Sequence, residues 1–219
     1  MQSMQITFLT LLLAHLLVDF LLQPGWITRK KGKSFWPLIC NGITLFVITW
    51  ACLRVFAQVP FLSIQSQTIV AGYVAVHLLI DGAKFWLVAH KIEADNWKTF
   101  LFNQSLQMMV LAITAFIMTG SHLAEFIQSI RLPAATKAHI LEVMIIYISV
   151  VFGGGYLIRY LTKGLAKNIV VDAPSHLENA GLYVGWIERL LVITAIAMQS
   201  PALVGLILTS KSIVRFPEF

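Results

Sequence analysis

Charge is what this sequence has least of. Aspartate, glutamate, lysine and arginine together make up 12% of its 219 residues, about half the share found in ordinary soluble domains. A chain so poor in charge, 58% hydrophobic and with a mean hydropathy of +0.80, cannot cover a water-exposed fold with polar surface, which excludes a soluble enzyme and indicates an integral membrane protein. Cysteine is almost absent. Cys40 and Cys52 lie in one apolar run; on one helix their backbones stand ~18 Å apart at ~1.5 Å per residue, too far for a disulfide. With no CxxC pair there is no cysteine-based zinc site, and both read as small buried hydrophobes. Gly153-Gly154-Gly155 has neither the strand nor the Gly-Lys-Ser/Thr spacing of a phosphate loop. Inside an apolar run, three glycines instead permit close helix approach or a local break. Long polar linkers and low-complexity segments are also missing, so residues 1–219 read as a single integral-membrane domain. No basic residue precedes the first apolar core and no small-x-small site follows it, so the first span is expected to be retained rather than cleaved.

What the sequence does contain is a succession of apolar runs. A span needs about 20 mainly apolar residues, and that template finds segments at 5–23, 36–57, 68–89, 99–118, 139–161 and 181–199, with a shorter run at 202–216. The expected fold is all-α, a polytopic transmembrane helix bundle of about six firm spans plus a short C-terminal seventh segment. Pro24-Gly25, Pro60, Pro133, Pro174 and Pro201 punctuate the connections, and residues 121–130 read as a short interfacial helix. The net charge of +6 and pI near 9.5 arise largely from basic residues beside spans, such as Arg29, Lys30, Lys31 and Lys33. That placement fits cytoplasmic orientation and contact with anionic lipid head groups, not direct nucleic-acid binding. Lysine and arginine also favour the loops at 84–98 and 159–180, so the odd-numbered loops are expected in the cytoplasm and the N-terminus outside.

Against this background one pattern occurs twice: His15-x3-Asp19 with Gln23, and His77-x3-Asp81 with Lys84. A charge at the centre of a span costs at least about 2.5–3.5 kcal/mol, so ionisable residues there generally face a bundle interior or a wet cavity. Residues four apart share a helix face, so each pair presents an imidazole and a carboxylate together. The predicted topology places Asn41, Asn103, Gln104, Gln107, Glu188 and Arg189 at a depth similar to these pairs. A common cytoplasm-facing polar cavity follows. In its chemical version His15, His77 and Asp81 hold a divalent metal such as zinc. Asp19, Lys84, Glu188 and Arg189 are the candidate catalytic groups, Asp19 activating water and Lys84 or Arg189 meeting an anionic head group. Gln23, Asn41, Asn103, Gln104 and Gln107 line the substrate pocket. Glu188 and Arg189 are adjacent and point apart, so each needs another partner; Asp19 or Asp81 could balance Arg189, and Lys84 could balance Glu188. The alternative for the whole set is interhelical hydrogen bonding without chemistry.

These residues resemble a family of bacterial multi-pass membrane proteins grouped as domain of unknown function 3307. His15-x3-Asp19-Phe20-x2-Gln23, followed by Trp26 and Lys31, looks like its opening signature, and His77-x3-Asp81-x2-Lys84 like its second. Gly181-x3-Gly185-x2-Glu188-Arg189-Leu190 with Lys211-Ser212-Ile213-x-Arg215-Phe216 is similar to the C-terminal half of its longer members. The resemblance implies a helical bundle in the bacterial inner membrane and supplies no established activity. The family pattern carries histidine where Asn41 stands, Asp-Gln where Asn103-Gln104 stands and histidine where Gln107 stands, so three potential ligands are here neutral amides. Three function classes stay open at this point. The first is a metal-dependent hydrolase or transferase acting on a lipid or lipid-linked substrate. The second is a non-enzymatic sensor, anchor or oligomeric partner of a cytoplasmic protein or of a second copy of the chain. Third is a transport subunit, for which no polar stripe leads to the outer face.

Overall fold

The computed structural model describes residues 4–22, 36–59, 63–92, 95–120, 136–162 and 175–215. Their regular structure is entirely helical. Helix α1 (Met4–Leu16) continues as a π-helical turn, Leu17–Leu21, and α2 (Trp36–Cys52) as another, Leu53–Ala57. Then come α3 (Ile64–Ala89) and α4 (Trp97–Thr119). Helix α5 begins as Thr136–Ile148, passes through a π-helical stretch, Ser149–Gly153, and resumes as Gly154–Thr162. The last two are α6 (Ser175–Ala197) and α7 (Pro201–Arg215). Five segments, Met4–Leu21, Trp36–Ala57, Ile64–Ala89, Trp97–Thr119 and Lys137–Thr162, are long and apolar enough to cross a membrane. The sixth expected span and the short seventh segment fall on α6 and α7. The interfacial helix expected at 121–130, the basic loop after the first span and Gln23 lie outside the described residues.

The chain divides into two compact units, Met1–Ile146 and Tyr147–Phe219. In the first, α1 packs on both α2 and α4, and α3 packs on both α2 and α4, which makes a four-helix ring. Leu11, Val18, Leu45, Leu53, Val70 and Leu111 fill its centre. The outward faces carry Ile43, Val47, Leu79, Phe102 and Ile113, all exposed. A soluble bundle would put polar residues there; hydrocarbon is the solvent that makes such a surface stable. Local signals fix the ends of the helices. The Ser63 hydroxyl accepts the Ser66 amide at the start of α3, and the Asn96 side-chain Oδ1 accepts those of Lys98 and Thr99 at the start of α4. Gly120 closes α4 with φ +61°, a conformation glycine adopts without strain. At Gly42 a Cβ would stand 2.6 Å from Leu78 Cδ1, so the missing side chain is what lets α2 approach α3.

In the second unit α6 packs against the π-helical stretch of α5 and against α7, and the Tyr147 hydroxyl lies 3.2 Å from Thr194 Oγ1. Pro201 opens α7, where its missing N–H and fixed φ suit the first helical turn.

Candidate metal centre

Three helices of the first unit build a polar cluster in an otherwise apolar interior. Helix α1 supplies His15, which is fully buried, and Asp19, whose side chain is 9% exposed. Asp19 lies in the π-helical turn, closed by the bond from the Leu22 amide to the Leu17 carbonyl at 2.8 Å. Such turns are frequent at functional sites. One carboxylate here meets two histidines: Asp19 Oδ2 lies 3.9 Å from His15 Nε2, and Oδ1 lies 3.6 Å from His77 Nε2. The two imidazoles meet edge to face with centroids 5.3 Å apart.

Helix α3 contributes a stripe at four-residue spacing, Tyr73, His77 and Asp81, all buried. The Tyr73 ring lies 6.1 Å from that of His77, and Asp81 Oδ2 lies 4.0 Å from His77 Nε2. From α4 come the amides. Asn103 Nδ2 and Gln107 Nε2 both donate to Asp81 Oδ1, at 3.2 and 2.9 Å. Gln104 Nε2 donates to Gln107 Oε1 at 3.0 Å and lies 3.5 Å from Asp19 Oδ2. Its Oε1 is 3.3 Å from His15 Nε2. One chain of amides thus joins the two carboxylates across α1, α3 and α4.

The ligand atoms of His15, Asp19 and His77 lie within 4.8 Å of one another. A tetrahedral ion with bonds of ~2.0–2.1 Å sets its ligand atoms about 3.3 Å apart; Asp19 approaches the two imidazoles at 3.9 and 3.6 Å through different oxygens, so the trio would draw together to hold one ion. Two imidazoles and one carboxylate is a donor set used by catalytic zinc, which takes a water or substrate oxygen as its fourth ligand. Asp81, also expected in the ligand set from sequence, lies 4.0 Å from His77 Nε2 and accepts from its two amide donors.

Asn41 is buried on α2. Lys84 places its ammonium 5.7 Å from the centre of the Phe100 ring and 5.8 Å from that of Phe85, a cation–π seat at the end of the α3 stripe. Glu188 and Arg189 belong to the second unit. Glu188 pairs with Lys211 of α7, and Arg189 Nε donates to the Val151 carbonyl at 2.9 Å; neither partner was among those suggested by sequence. Tyr73 was missed, although its spacing from His77 marks it as a member of the same face.

No curated protein and no solved structure matches the chain. A family model described as "Protein of unknown function (DUF3307)" matches residues 7–134. That segment runs from Thr7 of α1 past the end of α4 and holds every member of the His/Asp/amide cluster, whereas Glu188, Arg189 and Lys211 lie beyond it. With more than half its length matched, and with the paired His-x3-Asp elements inside the match, the chain belongs to the DUF3307 family.

Proposed function

We propose that the first unit is a membrane-embedded, divalent-metal-dependent hydrolase or transferase of the bacterial inner membrane, acting on a lipid or lipid-linked substrate from the cytoplasmic side. The observation that carries this reading is the convergence of His15 Nε2, the Asp19 carboxylate and His77 Nε2 in an apolar interior. A bound zinc-class ion there would polarise an ester or phosphoester oxygen and lower the pKa of a bound water. The protein's own groups supply the rest. Asn103 and Gln107 orient Asp81 beside His77, Gln104 ties Asp19 and His15 to α4, and Lys84 offers a cation to an anionic head group. In this reading Asp19 is a ligand and Asp81 the orienting carboxylate, the reverse of the roles that spacing alone suggests.

The amide chain supports a second reading, a non-enzymatic polar network that ties three helices together. His15→Ala separates the two when purified protein is assayed on phospholipid and lipid-linked phosphoester substrates with zinc or manganese. The enzyme reading predicts metal-dependent turnover in the parent and a loss exceeding the ~10–100-fold typical of outer-shell changes, at matched folded yield. Loss of folded yield, with no metal-dependent turnover in the parent, would establish the network reading in its place.

A further inference from the structure

The second unit holds an arginine whose surroundings are built around its guanidinium. The π-helical stretch Ser149–Gly153 interrupts the regular ladder of α5, and the Val151 carbonyl there accepts Arg189 Nε at 2.9 Å. Gly155 then makes room for the rest of the group, with Gly154 and Gly185 in ordinary contact with it. A Cβ on Gly155 would stand 2.8 Å from Arg189 Nη2, one on Gly185 3.4 Å from the same atom, and one on Gly154 3.8 Å from Arg189 Cδ. Gly155 therefore houses a charged side chain as well as permitting close packing.

A second donor converges on the same place. Trp186 Nε1 lies 3.6 Å from the position of that absent Gly155 Cβ. Its indole is clamped edge-on by Phe152 and Tyr183, with centroids 4.9 and 5.3 Å away. Charge balance makes the arrangement unusual. The neighbouring carboxylate, Glu188, is engaged by Lys211, and no carboxylate among the described residues pairs with Arg189. A guanidinium in an apolar helix pair, with Nε spent on a carbonyl and no counter-ion among the described residues, is stabilised by an anion brought from outside.

We infer that Arg189 and Trp186 form a binding site for a phosphate group, presented by a membrane lipid or free in solution. Guanidinium and indole N–H groups converging over a Cβ-less floor match tetrahedral oxygens, and arginine favours phosphate through paired, charge-assisted bonds.

Native mass spectrometry of the full chain in detergent tests it, using phosphatidylglycerol, a diacylglycerol with the same acyl chains, and inorganic phosphate. The parent should retain phosphatidylglycerol over diacylglycerol. That preference should fall about tenfold or more in Arg189→Gln, fall likewise in Gly155→Val, which takes the guanidinium's seat, and weaken in Trp186→Phe, which keeps the aromatic packing. Arg159→Gln, at an exposed arginine of α5, should leave the preference intact. Displacement of phosphatidylglycerol by inorganic phosphate would show that free phosphate reaches the site, and failure to displace would make the lipid its source; both support the assignment. Equal preference in the parent, Arg189→Gln and Gly155→Val, or a loss confined to Arg159→Gln, would overturn it. If Arg189→Gln does not fold, Gly155→Val and Trp186→Phe decide the matter.

Discussion

Alanine at Asp19 is expected to abolish stabilisation of the protein by divalent metal. An ion at 100 times its Kd adds about 2.7 kcal/mol to a folded state that alone can bind it. For a chain of this length each kcal/mol moves Tm by about 2–4 °C, so zinc should raise the parent's melting point by about 5–10 °C. The Asp19 carboxylate approaches both imidazoles, at 3.9 and 3.6 Å. Its removal deletes the charged ligand and the link between the two histidines. An affinity loss of ~100-fold brings the same metal concentration to its Kd, where the gain falls to about 0.4 kcal/mol, a shift of 1–2 °C at most. Differential scanning fluorimetry in detergent, with and without zinc, makes the comparison. Asp81→Asn should retain more of the shift, because Asp81 stands outside the converging trio. A shift in Asp19→Ala equal to that of the parent would remove Asp19 from the ligand set.

Gln107→Leu should be the most destabilising change among the amides. The side chain is 1% exposed, donates to Asp81 and accepts from Gln104, and leucine fills a similar volume, so the effect isolates hydrogen bonding from packing. Interhelical hydrogen bonds in membranes average about 0.6 kcal/mol. Two features raise the figure here: the acceptor is a carboxylate, for which a bond contributes about 1.5–3 kcal/mol, and Gln104 loses its acceptor in a buried setting. A loss of about 2 kcal/mol is expected, read as a drop in Tm of roughly 4–8 °C. Asn103→Ala, which removes only the longer 3.2 Å bond to Asp81, should cost less. A Gln107→Leu protein as stable as the parent would mean that the amide chain contributes nothing to holding α3 and α4 together.

Much of this architecture is legible in the chain because hydrocarbon imposes a simple rule: apolar runs of span length become helices, and the few polar residues inside them must find one another. The spacing of His15 and Asp19, and of His77 and Asp81, put each pair on one face, and the shared depth of Asn103, Gln104 and Gln107 is realised as direct contact with both carboxylates. What escaped depends on backbone detail or on long-range packing. A π-helical turn leaves no mark in composition, so spacing alone could not show that Asp19 is re-aimed to lie between two histidines while Asp81 stays under its amides. Nor does helix register say which residue of another helix answers a charge. Glu188 reaches Lys211, twenty-three positions away, rather than Lys84. The glycines of α5 suggested close approach correctly, but that a guanidinium fills the space depends on the α5–α6 pairing.

The most direct test is the metal content of detergent-purified protein, measured by inductively coupled plasma mass spectrometry beside a His77→Ala variant of matched folded yield. Near-stoichiometric zinc or another divalent ion in the parent, lost in the variant, is the predicted result. Absence of metal from both after incubation with zinc would contradict the account and leave the cluster as a hydrogen-bonded network joining α1, α3 and α4.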